Sequence, residues 1–314
     1  MRYKHLDNAN VDISALTVGT WAIGGQNYGT VNDGDSIAAI RTMIDNGVNV
    51  VDTAPTYGPG TSEMVVGKAL ADGYRDKVFL STKFGCGVTD KGELWRNGGH
   101  DNCIKQCEES LKRLNTDHID FYFIHWPDYN TPISETMKAL EELKKAGKIR
   151  FIGVSNFCKD MIQECQNYGR IDVIQPPYSM VNEDERPLMK WCETQGIGAF
   201  TYGSLGSGIL TGTIRTMPKW DPNDMRVIFY DFYREPKFSK CMELLKVLDK
   251  VAEAHNKPVA QVAINWSTQK SYVSTALCGV RNSKEAEENC HAFDWSLSDE
   301  EIKTIDMKLR ELDI

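Results

Sequence analysis

The sequence predicts an α/β chain folded as a closed (β/α)8 TIM barrel with a short N-terminal β-hairpin. Three observations carry this. Eight near-continuous apolar stretches alternate with helix-period segments, the pattern of a parallel sheet covered on both faces. Ionisable and polar residues follow the C-terminal ends of successive strands, where barrels keep their chemistry. The glycine fingerprint of the competing open sheet is broken at its central position.

Residues 2–13 read as the hairpin: Tyr3 to Leu6, a turn at Asp7-Asn8-Ala9-Asn10, then Val11 to Ile13. Strands follow at about 15–20, 48–52, 78–82, 119–124, 150–154, 171–175, 197–201 and 273–278. Helical periodicity fills the gaps near 35–46, 61–71, 102–114, 133–146, 158–168, 184–195, 240–255, 258–269 and 283–292. In 102–114, Ile104, Cys107, Leu111 and Leu114 recur at intervals of three and four, with Asp101 and Asn102 as candidate caps. The long irregular segment 206–238 carries Trp220, Phe229, Tyr230, Phe232, Tyr233 and Arg234 and reads as a lid or pocket wall. No linker, low-complexity tract or charge block divides the chain, so residues 1–314 read as one domain.

An open doubly wound sheet requires G-x-G-x-x-G after the first strand and an acid ending the second. Gly19-Thr-Trp21-Ala-Ile-Gly24 supplies the outer glycines and Asp52 the acid, but an indole stands where backbone must approach a pyrophosphate. The barrel predicts instead a rim of functional groups, and strands two to six deliver Asp52 and Tyr57, Lys83, His125, Ser155 with Asn156, and Gln175. Taken singly, each has a plain structural reading: Asp52 a strand cap, Tyr57 a packed ring, His125 a satisfied core histidine, Lys83 a solvated strand end. Five strands in succession aiming such groups at one rim are hard to explain by structure alone.

Net charge is −8, which argues against a nucleic-acid or anionic-membrane surface. Nine cysteines at irregular spacing form no metal-ligand run and read as free thiols in a reducing cytoplasm. The N-terminus has no apolar signal core, and no stretch of 18 apolar residues occurs, so neither a signal peptide nor a membrane span is expected.

A Tyr, Lys, Asp and His on one rim, with neither a Ser or Cys nucleophile elbow nor a metal cluster, suit acid–base work on a carbonyl or alcohol. A lysine about 4 Å from Tyr57 is worth roughly 4 kcal/mol at an effective dielectric near 20, so Lys83 is expected to pull the phenol pKa down. Asp52 would hold Lys83, and His125 would orient the substrate oxygen. This set lacks a hydride source, which implies a cofactor. Candidate phosphate loops are Thr201-Tyr-Gly-Ser-Leu-Gly-Ser-Gly208 after strand seven and Gly279 to Asn289 after strand eight.

At this point the chain resembles the aldo-keto reductases. The resemblance runs from the hairpin to a helix ending near Leu312 and rests on Gly19-Thr-Trp21, Asp52-Thr-Ala-Pro-Thr-Tyr57-Gly, Ser81-Thr-Lys83, Ile124-His125-Trp126-Pro127, Gly153-Val-Ser-Asn-Phe157, Gln175-Pro-Pro-Tyr178-Ser, Tyr202-Gly-Ser-Leu-Gly and Gly279…Glu288-Asn289. It implies a barrel that interconverts small carbonyls, sugars or polyols and their alcohols with a nicotinamide cofactor. Tyr57 is then the acid/base, Lys83 and Asp52 its tuners, and His125 the orienting residue. Ser155, Asn156 and Gln175 are the implied carboxamide contacts and Tyr202 the stacking ring. Gly203, Ser204, Leu205, Gly206 and Gly208 would form the pyrophosphate loop, and Gly279, Arg281, Glu285, Glu288 and Asn289 the adenosine end. Thr20 and Trp21 complete the cofactor side, and Trp21 and Trp126 line the carbonyl pocket with Tyr57 and His125.

The departures are Gly203-Ser204 where the family often has Ser-Pro, Cys278 for a proline, and Glu285 near the adenosine phosphate. NADP(H) is expected, with NAD(H) the alternative because a carboxylate repels a 2′-phosphate while Arg281 attracts it. The chain ends at Ile314, without the long C-terminal loop some members fold over bulky substrates, which suits small ones. Two alternatives accompany this reading. One is a cofactor-binding regulatory protein like the β subunits of potassium channels, although the chain starts at the hairpin without an extension. The other is an enzyme working physiologically as a sugar or polyol dehydrogenase. Oligomeric state is not legible.

Overall fold

The apolar strands close on themselves. The computed structural model describes residues 1–25, 31–89, 93–219, 226 and 230–314. A two-stranded antiparallel hairpin, β1 (Tyr3–Leu6) and β2 (Val11–Ser14), precedes the barrel. The barrel strands are β3 (Leu16–Gly19), β4 (Val50–Asp52), β5 (Phe79–Phe84), β8 (Ile119–Ile124), β9 (Ile149–Ser155), β10 (Val173–Gln175), β11 (Gly198–Thr201) and β12 (Thr275–Gly279). All neighbours are parallel, and β12 returns to pair with β3 through Cys278 and Val18, so no sheet edge is left. A second hairpin, β6 (Cys86–Val88) with β7 (Leu94–Arg96), projects after β5.

The interior and exterior of the barrel follow from the strand period of two. Inside, Val50, Phe121, Phe123, Phe151, Val173 and Phe200 pack together, and Leu6 and Ile13 of the first hairpin join them as a plug. Gly198 makes room for that plug, since a Cβ there would stand 2.5 Å from a methyl of Leu6. Outside, two further cores lie between strands and helices, one around Leu140, Ile152, Leu244 and Trp266, the other around Ile40, Val66 and Leu80.

The helices match the periodicity to within a few residues: Asp33–Asp45, Thr61–Ala69, His100–Leu114, Ile133–Lys145, Lys159–Gln166, Arg186–Thr194, Lys237–His255, Val259–Thr268 and Ser283–Cys290. A last helix, Asp299–Leu312, opens with a capping box between Ser298 and Glu301. One capping expectation fails: Asp101 and Asn102 lie inside the helix that starts at His100, whose cap is Gly99. Asp101 acts there as a first-turn acid facing the positive end of the helix dipole. No helix among the described residues is long and apolar enough to cross a membrane.

Candidate active site

Asp52 ends β4 in register with Ser81 of β5. The strand period puts Lys83, two residues on, on the same face as Ser81. Both reach Asp52: Lys83 Nζ donates to Oδ1 at 2.6 Å, and Ser81 Oγ to Oδ2 at 2.6 Å. From across the barrel Gln175 Nε2 donates to the same Oδ2 at 2.9 Å. Lys83 and Asp52 are both buried. The remaining donors of Lys83 reach the Thr53 carbonyl at 2.8 Å and Tyr57 Oη at 3.3 Å, which uses all three ammonium protons. Because Lys83 donates to the phenol oxygen, the phenol keeps its own hydrogen for another acceptor. Thr82 faces the other way and bonds the buried Glu63, which Arg113 neutralises at 2.6 Å, so β5 is anchored on both faces.

The electrostatic balance differs from the expectation that Lys83 pulls the Tyr57 pKa down. Burial, and next the Asp52 carboxylate, hold Tyr57 well above the ordinary phenol value. Asp52 lies closer to Lys83 than Tyr57 does and takes up much of its field. Burial also lowers the Lys83 pKa, opposed by Asp52. His125 is held well below the usual imidazole range by burial and by Lys83, so it is neutral at pH 7. Tyr57 and His125 each keep part of their surface open at the rim. Their rings meet edge-on, with centroids 6.1 Å apart.

Gly24, an outer glycine of the broken fingerprint, has a different task. Its backbone packs on that of Gly58, just after Tyr57: a Cβ on Gly58 would lie 2.1 Å from the Gly24 carbonyl oxygen. Gly58 also has φ +62°, where side chains are strained. Gly58→Ala is therefore expected to cost roughly 3 kcal/mol in urea denaturation and to displace Tyr57. Gly25→Ala, at φ +74° with nothing near its missing Cβ, is the control and should cost only about 1 kcal/mol. Equal midpoints for the two variants would refute the packing account.

Other rim residues divide into those that face outward and those spent within the protein. Asn156 has φ +61°, a conformation asparagine tolerates, and its side chain donates to the His125 carbonyl and to Ser155 Oγ, both at 3.1 Å. Tyr202 Oη donates to Asn156 Oδ1 at 2.9 Å, tying β11 to β9. Ser155 Oγ donates to the Gln175 carbonyl, and the Gln175 amide nitrogen is held by Asp52. Two expected cofactor contacts are turned inward. Thr20 is buried with its hydroxyl on the Asp52 carbonyl, and Ser204 is buried beside the Thr201 carbonyl. Each hydroxyl joins neighbouring backbone at the strand ends, with the Thr20 bond at 2.9 Å.

Beyond Tyr202, Gly203 has φ +73° and Gly206, Ser207 and Gly208 run at +54°, +51° and +105°, a bare, tightly wound loop. Leu205 packs against the outer cores beneath it. Gly279 ends β12 with open space at its missing Cβ. The helix after it is capped by Asn282, which accepts from the Glu285 amide at 3.0 Å. Glu285 occupies the anion position at this helix start: it accepts the Arg281 amide at 3.0 Å and the Arg281 guanidinium at 2.8 Å. Asn289 is buried, and the Glu288 carbonyl accepts from Gln261 at 2.8 Å.

Sequence reading missed the hairpin β6–β7, and with it Cys86, whose Sγ is 3.3 Å from His125 Nδ1. The signal was available: two short segments flank Thr89-Asp-Lys-Gly92, a turn-forming run. What hid it was Gly87, a poor strand former. The structure repairs this by laying the Trp95 ring over Gly87, where a Cβ would meet the indole at 2.3 Å.

Residues 15–310 match the family model described as the aldo/keto reductase family. The chain belongs to the aldo/keto reductase family. This aldo/keto reductase is 35% identical over 308 residues to the aldo-keto reductase YhdN of Bacillus subtilis (strain 168), covering 97% of this chain and 92% of that protein. It is 33% identical to the NADH-specific methylglyoxal reductase of Escherichia coli (strain K12), covering 95% of each. Its fold superposes on the glycerol dehydrogenase AKR11B4 from Gluconobacter oxydans with a TM-score of 0.89 at 33% identity, covering 98% of this chain and 95% of that one. The chain is accordingly an oxidoreductase.

Around the reductase's Tyr57 the walls are aromatic. Trp21 is exposed, with its ring 6.3 Å from that of Tyr57, and Trp126 is half-buried under the Arg96 guanidinium. The aromatics of segment 206–238 separate into two kinds. Phe232 and Tyr233 are buried in the core and anchor the chain, whereas Tyr230 is close enough to Tyr57 and Tyr202 to add a small upward push to phenol pKa values that burial chiefly raises. Trp220 and Phe229 lie outside the described residues. Among the described residues no group of His, Cys, Asp or Glu could hold a metal ion, and all nine cysteines are free, with only Cys158 exposed.

Proposed function

We propose that this aldo/keto reductase interconverts the aldehyde or ketone group of a small carbonyl, sugar or polyol-derived substrate and the corresponding alcohol, with Tyr57 as general acid/base. The observation that carries the reading is the hydrogen bond from Lys83 to Tyr57 Oη inside a buried Lys83–Asp52 pair. A protonated phenol is the acid that carbonyl reduction needs. Tyr57 donates its hydrogen to the substrate oxygen, His125 orients that oxygen, and Lys83 steadies the phenolate that develops. Asp52, with Ser81 and Gln175, keeps Lys83 charged and aimed. Trp21 and Trp126 exclude water from the reacting carbonyl. Residues 1–314 act as one barrel domain.

The donor set on the rim fits a nicotinamide dinucleotide, which would supply the hydride. Asn156 and Gln175 would contact the carboxamide, Tyr202 the ring, the 203–208 loop the pyrophosphate, and the Gly279–Asn289 stretch the adenosine. The Arg281–Glu285 pair shifts the balance from the NADP(H) expected by resemblance toward NAD(H). A 2′-phosphate would have to displace Glu285 from Arg281, whereas a ribose hydroxyl could share it.

A panel of small aldehydes, ketones and polyols, assayed with NADH, NADPH and the oxidised cofactors, tests both parts. Turnover of a small carbonyl is expected, with kcat/KM for NADH at least equal to that for NADPH. Glu285→Gln is expected to raise kcat/KM for NADPH about tenfold. A strong NADPH preference in the parent enzyme would end the Glu285 argument, and no turnover of any small carbonyl or alcohol would end the functional one.

A further inference from the structure

We infer that Cys86 is a positioning residue for carbonyl reduction, its S–H donating to His125 Nδ1 so that the other ring nitrogen presents its hydrogen to the substrate oxygen. The inference rests on the reading of His125 as the group that orients the carbonyl. Cys86 reaches its place by local backbone geometry. β5 ends in Lys83 and Phe84, and Gly85 at φ +92° turns the chain so that Cys86 starts the β6–β7 hairpin. The turn is held on both sides: the Gly85 amide donates to Gln106 Oε1 at 2.8 Å, and its carbonyl accepts from the Asn97 amide at 2.9 Å. Cys86 is thereby delivered, buried, to 3.3 Å from His125 Nδ1, within the range of a hydrogen bond to sulfur.

The backbone of His125 is pinned as well. Its amide donates to the Phe84 carbonyl at 2.8 Å, and its own carbonyl accepts from Asn156 Nδ2 at 3.1 Å. These contacts place the ring but leave its spin and tautomer open, and Cys86 is the one polar partner the ring has among the described residues. A neutral imidazole carries one donor and one acceptor nitrogen. Burial pushes the Cys86 thiol up to about 11, so at neutral pH it holds its hydrogen and is a donor. An Nδ1 that accepts it requires the ring hydrogen on Nε2. The reverse arrangement would give Nδ1–H only a sulfur acceptor and aim an Nε2 lone pair at the lone pairs of the carbonyl oxygen. Sulfur is a weak partner in either role, but here the two roles have opposite consequences for the substrate. Cys86 thus selects the useful one without touching the substrate itself.

Long-range 1H–15N NMR of the full chain labelled at histidine, with no cofactor added, reads the ring directly. The His125 signals are identified by their loss in His125→Gln. The expected result is an Nε2-protonated ring whose Nδ1 carries the shift of a hydrogen-bonded acceptor. Cys86→Ala should move that Nδ1 signal toward an unbonded nitrogen and lower kcat for carbonyl reduction about tenfold, with KM changed less than about twofold. Cys86→Ser keeps a donor and should restore both the Nδ1 signal and most of the kcat. A parent ring protonated on Nδ1, or an Nδ1 signal unmoved by Cys86→Ala, would overturn the inference. So would equal loss of kcat in the alanine and serine variants. The spectra need no turnover, so an enzyme inactive on carbonyls would sink the functional reading while the spectra still decided the role of Cys86.

Discussion

Tyr57→Phe is expected to lower kcat for carbonyl reduction roughly a thousandfold while leaving cofactor affinity within about twofold. The change removes one oxygen. It takes away the proposed acid and the acceptor that Lys83 reaches at 3.3 Å, yet the ring keeps its contacts with Trp21 and His125. Lys83 remains paired with Asp52 and the Thr53 carbonyl, so the fold has no reason to respond. Steady-state rates with a small aldehyde, together with a fluorescence titration of the reduced cofactor, separate the two effects. Turnover within tenfold of the parent would remove Tyr57 from the acid/base role.

Asp52→Ala is expected to have the largest effect on stability, about 3–5 kcal/mol in a urea or guanidinium titration. Asp52 accepts from three side chains at once, Lys83, Ser81 and Gln175, and both members of the ion pair are buried. Removing the carboxylate leaves an ammonium in the barrel with one carbonyl and one phenol for company, and burial already lowers the Lys83 pKa. The variant protein is expected to deprotonate Lys83 in part and to lose carbonyl reduction along with stability. Asp52→Asn, which keeps an acceptor for Lys83, should fall between the two proteins. If Asp52→Ala unfolds at the parent midpoint, the buried pair contributes nothing to the fold and the account of Lys83 fails with it.

The eight barrel strands and the helices between them were readable because apolar period and strand length are local properties, and burial on both faces leaves near-continuous apolar runs. Trp21 was enough to dismiss the open-sheet motif, since an indole cannot stand where backbone must meet a phosphate. Gly24 could not be understood that way. Its packing partner, Gly58, is distant in sequence, and the pairing of β3 with β4 brings the two segments that follow them together. Cys86 was missed for a related reason: the turn signal after Val88 was present, but the hairpin depends on Trp95 covering Gly87, a contact between strands.

Sequence alone determined which chemistry-bearing residues sit at strand ends, because the strand period and the barrel's direction send every strand's C-terminus to one rim. It could name Asp52, Tyr57, Lys83 and His125 as a set. Only the tertiary structure decided how their charges balance. Field and desolvation depend on what packs around each group, and burial, followed by the Asp52 carboxylate that Lys83 holds at 2.6 Å, raises Tyr57 where a lowering was expected. The same holds for Arg281 and Glu285: as residues they argued in opposite directions, and the helix start that pairs them spends both charges on each other.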